Sequence, residues 1–325
     1  MELIKKLLNK IDGLYYQQEY LCLAKESFQQ PLHLYLVANK RIIKDITKHH
    51  LFAGYSPLIF TFPSFNEINL SQAKHIGILF CNEVLQPNDF SRQKDAIAML
   101  SLYQLHQKVA DNVTIYYYEG IKGKHRFVSS LHQFILQLNN RLFNKKPGNV
   151  FLPGNLYTQV QIAYPVPRNI SLITVSHGNL YNLFPTDLHG PLNEVYYISS
   201  LRHEGKACKQ VEESARIVLA QIHADAYKMA YSLGKNYMQE LKPKNEFPFG
   251  KPVSSIYKLP LPMHVLNYHE LELKASFVHG IHKIFLYKIL STVVVSKEPA
   301  TLAHIHNSFA TWRYHHNFKD NYLLV

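Results

Sequence analysis

Residues able to bind an anion concentrate between Pro165 and Lys206. Tyr164-Pro165-Val166-Pro167-Arg168 precedes an apolar run, Ile170 to Ser176. After Gly178 comes Asn182-Leu183-Phe184-Pro185-Thr186-Asp187-Leu188-His189-Gly190. A further apolar run ends in Ser199-Ser200-Leu201-Arg202-His203-Glu204-Gly205-Lys206. Hydroxyls and cations at a strand end that opens a helix suit a phosphate. The first amides of a helix lack intrahelical acceptors, and Arg and Lys add charge-assisted hydrogen bonds. Ordinary helix starts use the same residue types, so spacing alone leaves a plain surface turn as the alternative.

Other chemistries find less support. Nineteen histidines include the close pairs His279/His282, His304/His306 and His315-His316. No H-E-x-x-H or Cys/His cluster joins them, and no metal is expected. None of the 13 glycines forms a G-x-G arrangement. The dinucleotide fingerprint, the Walker A loop and the G-x-S-x-G elbow are therefore absent. Lys and Arg number 35 against 23 Asp and Glu, a formal charge of +12. The excess is spread over both halves, which favours solubility and small anions over a nucleic-acid track. Cys22, Cys81 and Cys208 are far apart and read as reduced thiols of a cytoplasmic protein. The amphipathic start, Met1 to Lys10, is expected to be a helix packed on its own domain. No apolar stretch reaches the roughly 18 residues of a membrane span, so no membrane partner is expected.

These residues need a scaffold. Residues 1–145 read as a small α/β domain. Its strands are Leu32 to Ala38, Pro57 to Phe62, His75 to Cys81 and Val113 to Tyr118. Apolar spacing predicts helices at Arg41 to Phe52, Asp95 to Val109 and Phe127 to Phe143. The polar break Asn144 to Asn149, followed by Pro153-Gly154-Asn155, places a boundary there. Residues 146–325 read as mostly strand: Gln159 to Tyr164, Asn169 to Ser176, Glu194 to Ser200, Val265 to Phe277 and Lys283 to Val295. One long helix is predicted from Ala207 to about Tyr237, with a Pro-rich connector from Pro243 to Pro262. Many strands around one helix suggest an antiparallel barrel. Trp312 is expected to pin the C-terminal tail. No internal repeat is evident.

The order of motifs over residues 150–300 resembles the flavin reductase-like family with its FMN-binding split β-barrel. Pro167-Arg168 leads into Ile173-Thr174-Val175. The segment Asn182 to Asp187 stands where the family's backbone hugs the flavin ring. Ser200-Leu201-Arg202 runs into Ala207-Cys208-Lys209-Gln210-Val211, and Gly280-Ile281-His282 opens the strand Ile284-Phe285-Leu286. The sequence departs from the family at Ile281, usually an acid, and at Tyr287, often a glycine. The resemblance implies FMN as cofactor, NAD(P)H as co-substrate, and hydride transfer to free flavin or another acceptor. It assigns Asn182, Leu183, Phe184, Thr186 and Asp187 to the ring, and Ser199, Ser200, Arg202 and Lys206 to the phosphate. His282 falls on the nicotinamide side as the catalytic residue. A homodimer is implied as well. A barrel that binds flavin without turnover, as carrier, sensor or scaffold, is the alternative. The resemblance does not reach residues 1–145.

Overall fold

The structure is a computed structural model and describes residues 20–24, 32–39, 41–65, 70, 75–85, 95–110, 113–143, 150–297, 301–316 and 323–324. The expected helix at Met1 to Lys10 and the break at 144–149 lie outside the described residues. The described fold is mostly antiparallel β with few helices. By contacts it divides into two units. The first holds 1–21, 27–167 and 305–321; the second holds 22–26, 168–304 and 322–325. Residues 150–167 group with the first unit by these contacts.

The first unit is a seven-stranded antiparallel sheet, not the expected α/β layer. Its strands are β1 (His33–Ala38), β2 (Arg41–Asp45), β3 (Leu51–Tyr55), β4 (Leu58–Pro63), β5 (His75–Cys81), β6 (Ala98–Ala110) and β7 (Val113–His125), in the order β2-β1-β5-β6-β7-β4-β3. The helix predicted at Arg41 to Phe52 is two strands joined by a turn, in which the Ile46 amide donates to the Leu34 carbonyl. The helix predicted at Asp95 to Val109 is β6. Ala98, Leu100 and Leu102 are buried and Met99 is exposed, a period of two. The register shift at 104/106, which leaves Leu105 as an extra residue of β6, breaks that period. An inserted residue moves later side chains to the other face, so a bulged strand imitates helical spacing.

Helix α1 (Ser130–Phe143) matches the third predicted helix, while the strand expected at Gln159 to Tyr164 is instead helix α2 (Asn155–Ala163). Two glycines of β7 admit α2. A Cβ on Gly123 would lie 2.8 Å from Ile162 Cδ1 and 3.2 Å from the Gln159 backbone, and one on Gly120 would lie 2.1 Å from Gln159 Oε1. Asn155 fastens the contact by accepting from the Gly123 amide at 2.6 Å and donating to its carbonyl at 2.9 Å.

The second unit is built on an eight-stranded antiparallel sheet. Its strands are β8 (Ser171–His177), β9 (Leu180–Thr186), β10 (His189–Pro191), β11 (Tyr196–Arg202), β12 (Arg216–Ile222), β13 (Val265–His279) and β14 (His282–Val294), in the order β10-β11-β14-β13-β12-β8-β9, with Lys242–Pro243 beyond β9. The order has two ends, and no closed barrel is seen. The long helix predicted from Ala207 to Tyr237 is also corrected. Helix α3 (Lys206–Ser214) stops where Ala215 takes a left-handed conformation, φ 54°. The chain then enters β12, whose continuous apolar run Ile217-Val218-Leu219-Ala220 is a central strand paired on both edges. A run buried on both faces has no alternation, so its period does not separate strand from helix. One face of the sheet packs Ile173, Phe184, Tyr197, Ile217, Leu271, Phe285 and Tyr287 against Ala207, Cys208 and Val211 of α3.

Candidate functional site

Strand β11 carries its hydroxyls on alternate faces. Ser199 points into the core, where its Oγ lies 3.1 Å from the Tyr287 hydroxyl. Ser200 takes the opposite face, with its Oγ 3.1 Å from His282 Nδ1. Its amide donates to the Leu188 carbonyl at 2.8 Å, which ties the 187–189 turn to the end of β11. Arg202 stands directly across from His282 in the β11–β14 pairing. Gly205 caps α3 in an extended conformation with no side chain closing the helix start. In the first turn of α3 the Cys208 amide donates to the Gly205 carbonyl at 3.0 Å, and the buried Gly205 packs against Tyr237. Lys206 is half exposed and pairs with Glu240 at 2.7 Å. A surface pair of that kind contributes little, so the lysine remains exchangeable toward a stronger anion.

His282 is 1 % exposed. Burial lowers its imidazole pKa to about 3, and the Arg202 guanidinium acts in the same direction, against the opposing pull of Asp187. The ring is neutral at physiological pH and serves as a hydrogen-bonding group.

Asp187 leads from this strand end into a cavity of about 220 Å³. The cavity is lined by Ile170, Pro185, Thr186, Asp187, Tyr231 and His304 among others. Arg168 Nη1 donates to Asp187 Oδ2 at 2.5 Å, and His304 Nδ1 lies 3.0 Å from the same oxygen. Burial opposes ionisation of Asp187, but Arg168 and then His304 outweigh it and hold the carboxyl well below the usual range. Tyr231 meets Cys22 with its hydroxyl 2.8 Å from Sγ. Burial raises the Cys22 thiol to about 11, so it is a thiol rather than a thiolate. Nearby His189 spans the Asn169 carbonyl and the Tyr197 hydroxyl, both at 2.8 Å, and burial lowers its pKa to about 4.

The predicted site residues thus separate. Ser200, Arg202 and His282 stand together at the strand end, and Thr186 and Asp187 line the cavity beside the 187–189 turn, whereas Lys206 opens α3 on the other face of the sheet and Ser199 points into the core on that face. Asn182, Leu183 and Phe184 lie in the middle of β9, not in a turn, and are 0 % exposed. Leu183 and Phe184 are packing residues. The Asn182 amide donates to Gln210 Oε1 at 2.7 Å and to the Asn236 carbonyl at 3.0 Å. Sequence reasoning passed over Arg168 and His304 as site residues. In the sequence Arg168 marks a strand start and His304 is half of a histidine pair. Neither reading could foresee a shared carboxylate from elsewhere in the chain. No group of three or more His, Cys, Asp or Glu among the described residues could hold a metal ion. No described helix is long and apolar enough to cross a membrane.

No family model matches this sequence, and no curated protein matches it. Solved structures give distant likenesses over part of the chain. The NADH:FAD oxidoreductase of Streptomyces globisporus is matched over 50 % of this chain and 96 % of its own, at 11 % identity and a TM-score of 0.41. The styrene monooxygenase flavin reductase of Pseudomonas putida S12 is matched over 46 % and 92 %, at 12 % identity and 0.38. An FMN-binding protein of Thermus thermophilus is matched over 39 % and 71 %, at 14 % identity and 0.35. Likeness at this level carries no argument about the site, and the functional reading rests on the side chains.

Proposed function

We propose that the second unit binds a flavin nucleotide of the FMN type and serves flavin reductase-like chemistry, with the sheet acting as a split barrel. The supporting observation is the strand end where Ser200, His282 and Arg202 stand together and the Ser200 amide holds the turn that follows Asp187. The donor set fits a phosphate. The cavity has apolar walls and one ionised carboxylate, which fits a flat ring that presents a donor at its edge. Pockets for whole small ligands usually measure about 300–1,000 Å³, so this one takes part of such a ligand. Bound flavin would supply the hydride chemistry, taken from NAD(P)H and passed to free flavin or another acceptor. The chain's own residues bind and orient: Arg202 holds the phosphate, Thr186 and Asp187 face the ring, and neutral His282 holds Ser200 in place.

One observation favours the second reading, a flavin binder without turnover. His282 is nearly inaccessible and already engaged by Ser200. An absorption spectrum of the purified chain tests flavin binding. Anaerobic addition of NADH or NADPH then separates the two readings, because bleaching requires hydride transfer from the nicotinamide to the bound flavin. A colourless protein that takes up no FMN refutes both. Light scattering of the full chain tests the implied homodimer.

A further inference from the structure

The strand orders of the two units coincide. Adding seven to each label of β2-β1-β5-β6-β7-β4-β3 gives β9-β8-β12-β13-β14-β11-β10, the second sheet read from its other end. Strand order alone is a modest argument, because meanders are common in antiparallel sheets. The register is a stronger one. Adding 169 to both numbers of each pair in the β6–β7 hairpin reproduces the β13–β14 hairpin throughout, from Ala98–His125 onto Asn267–Val294 to Ala110–Val113 onto His279–His282. Both bulges are carried along. In each hairpin the first leaves an extra residue on the second strand, Ile121 or Leu290, and the next leaves one on the first strand, Leu105 or Lys274. Bulges are placed individually, and antiparallel pairing does not dictate their positions.

The remaining ladders follow. Ile59–Glu119 to Pro63–Ile115 map onto Tyr196–Lys288 to Ser200–Ile284. His75–Tyr103 to Phe80–Ala98 map onto Arg216–Glu272 to Gln221–Asn267. Leu34–Phe80 to Val37–Gly77 map onto Ser171–Gln221 to Thr174–Val218.

We infer that residues 33–125 and 171–294 are two copies of one fold, and that only the second copy carries the anion-binding strand end. The correspondence places Pro63 at the position of Ser200, Phe65 at that of Arg202 and Val113 at that of His282. Phe62 stands for Ser199, and Arg41, Ile42 and Lys44 stand for Asn182, Leu183 and Phe184. The hydroxyl, cation and imidazole of the site are thus a ring that gives up the backbone donor and two apolar side chains. Phe65 is covered by the Lys44 ammonium, 4.8 Å from the ring centroid, and by His49. The first unit is then a scaffold copy and the chain holds one nucleotide, a site count that rests on the proposed function.

Hydrogen exchange of the full chain, with and without FMN, tests this. Protection should lapse at the bulges of both long hairpins, near 105 and 121 and again near 274 and 290. FMN should saturate at one equivalent per chain and protect 199–206 and 282, leaving 62–65 and 113 unchanged. Unbroken protection along either hairpin overturns the duplication. A second equivalent, or protection at 62–65, overturns the single site. If FMN does not bind, the proposed function fails, and the duplication is decided by the hairpin pattern alone.

Discussion

Replacement of His282 by asparagine should make the protein less sensitive to acid. The imidazole is 1 % exposed, and burial lowers its pKa to about 3. In the unfolded chain a histidine titrates near 6.5. The unfolded state therefore takes up a proton that the folded state refuses. Stability is full above roughly pH 6.5 and declines as pH falls from there toward the folded value. With one pKa unit worth about 1.4 kcal/mol, the loss from this residue alone between about pH 7.5 and pH 5 is about 2 kcal/mol. Asparagine keeps a polar group opposite Ser200 and cannot charge. Urea unfolding of both proteins at the two pH values isolates the effect, because the contributions of His125 and His189, also lowered to about 4, cancel in the difference. The wild type should lose about 2 kcal/mol more than the variant on acidification. Equal losses would show that His282 is solvated or charged in the folded protein, and the reading of it as a neutral bridging group would fail.

Arg202→Ala should weaken FMN binding roughly 10- to 150-fold, the loss of one charge-assisted contact of about 1.5–3 kcal/mol, measured by fluorescence titration. Lys206→Ala should cost less, because the lysine also gives up a pairing with Glu240; a larger effect than at Arg202 would reverse the assignment. Gly123→Ala should lower stability by about 1–3 kcal/mol in thermal unfolding, since its Cβ meets the α2 backbone at Gln159, and an unchanged Tm would contradict that packing. Glu270→Ala should destabilise by about 1.5–3 kcal/mol at neutral pH, because the buried carboxylate accepts from the Ile256 and Tyr257 amides and the Ser255 hydroxyl. Burial opposes ionisation of Glu270, but those hydrogen bonds lower its pKa, so its contribution is present above the unfolded carboxylate pKa and is lost as pH falls through the folded value.

Local structure was legible in the sequence wherever one segment sufficed. The strand end Ser199 to Arg202, the helix opening at Lys206, the head of β14 at His282 and helix α1 all follow from short-range pattern. Segments with a bulge or burial on two faces misled, because β6 imitates a helical period and β12 has no period at all. The core positions of Leu183 and Phe184 were invisible for a related reason: β9 is covered on the face that a surface turn would expose. The Arg168–Asp187–His304 cluster joins residues far apart in the chain, and no spacing rule connects them. The duplication is the extreme case. Ile76-Gly77-Ile78-Leu79-Phe80 and Ile217-Val218-Leu219-Ala220-Gln221 occupy the same ladder yet share one residue. A sheet asks of each position only a face, a volume and a partner, and many sequences meet those demands. Hydrogen-bond register is set by the paired strands together, so the repeat exists in the pairing and not in the letters.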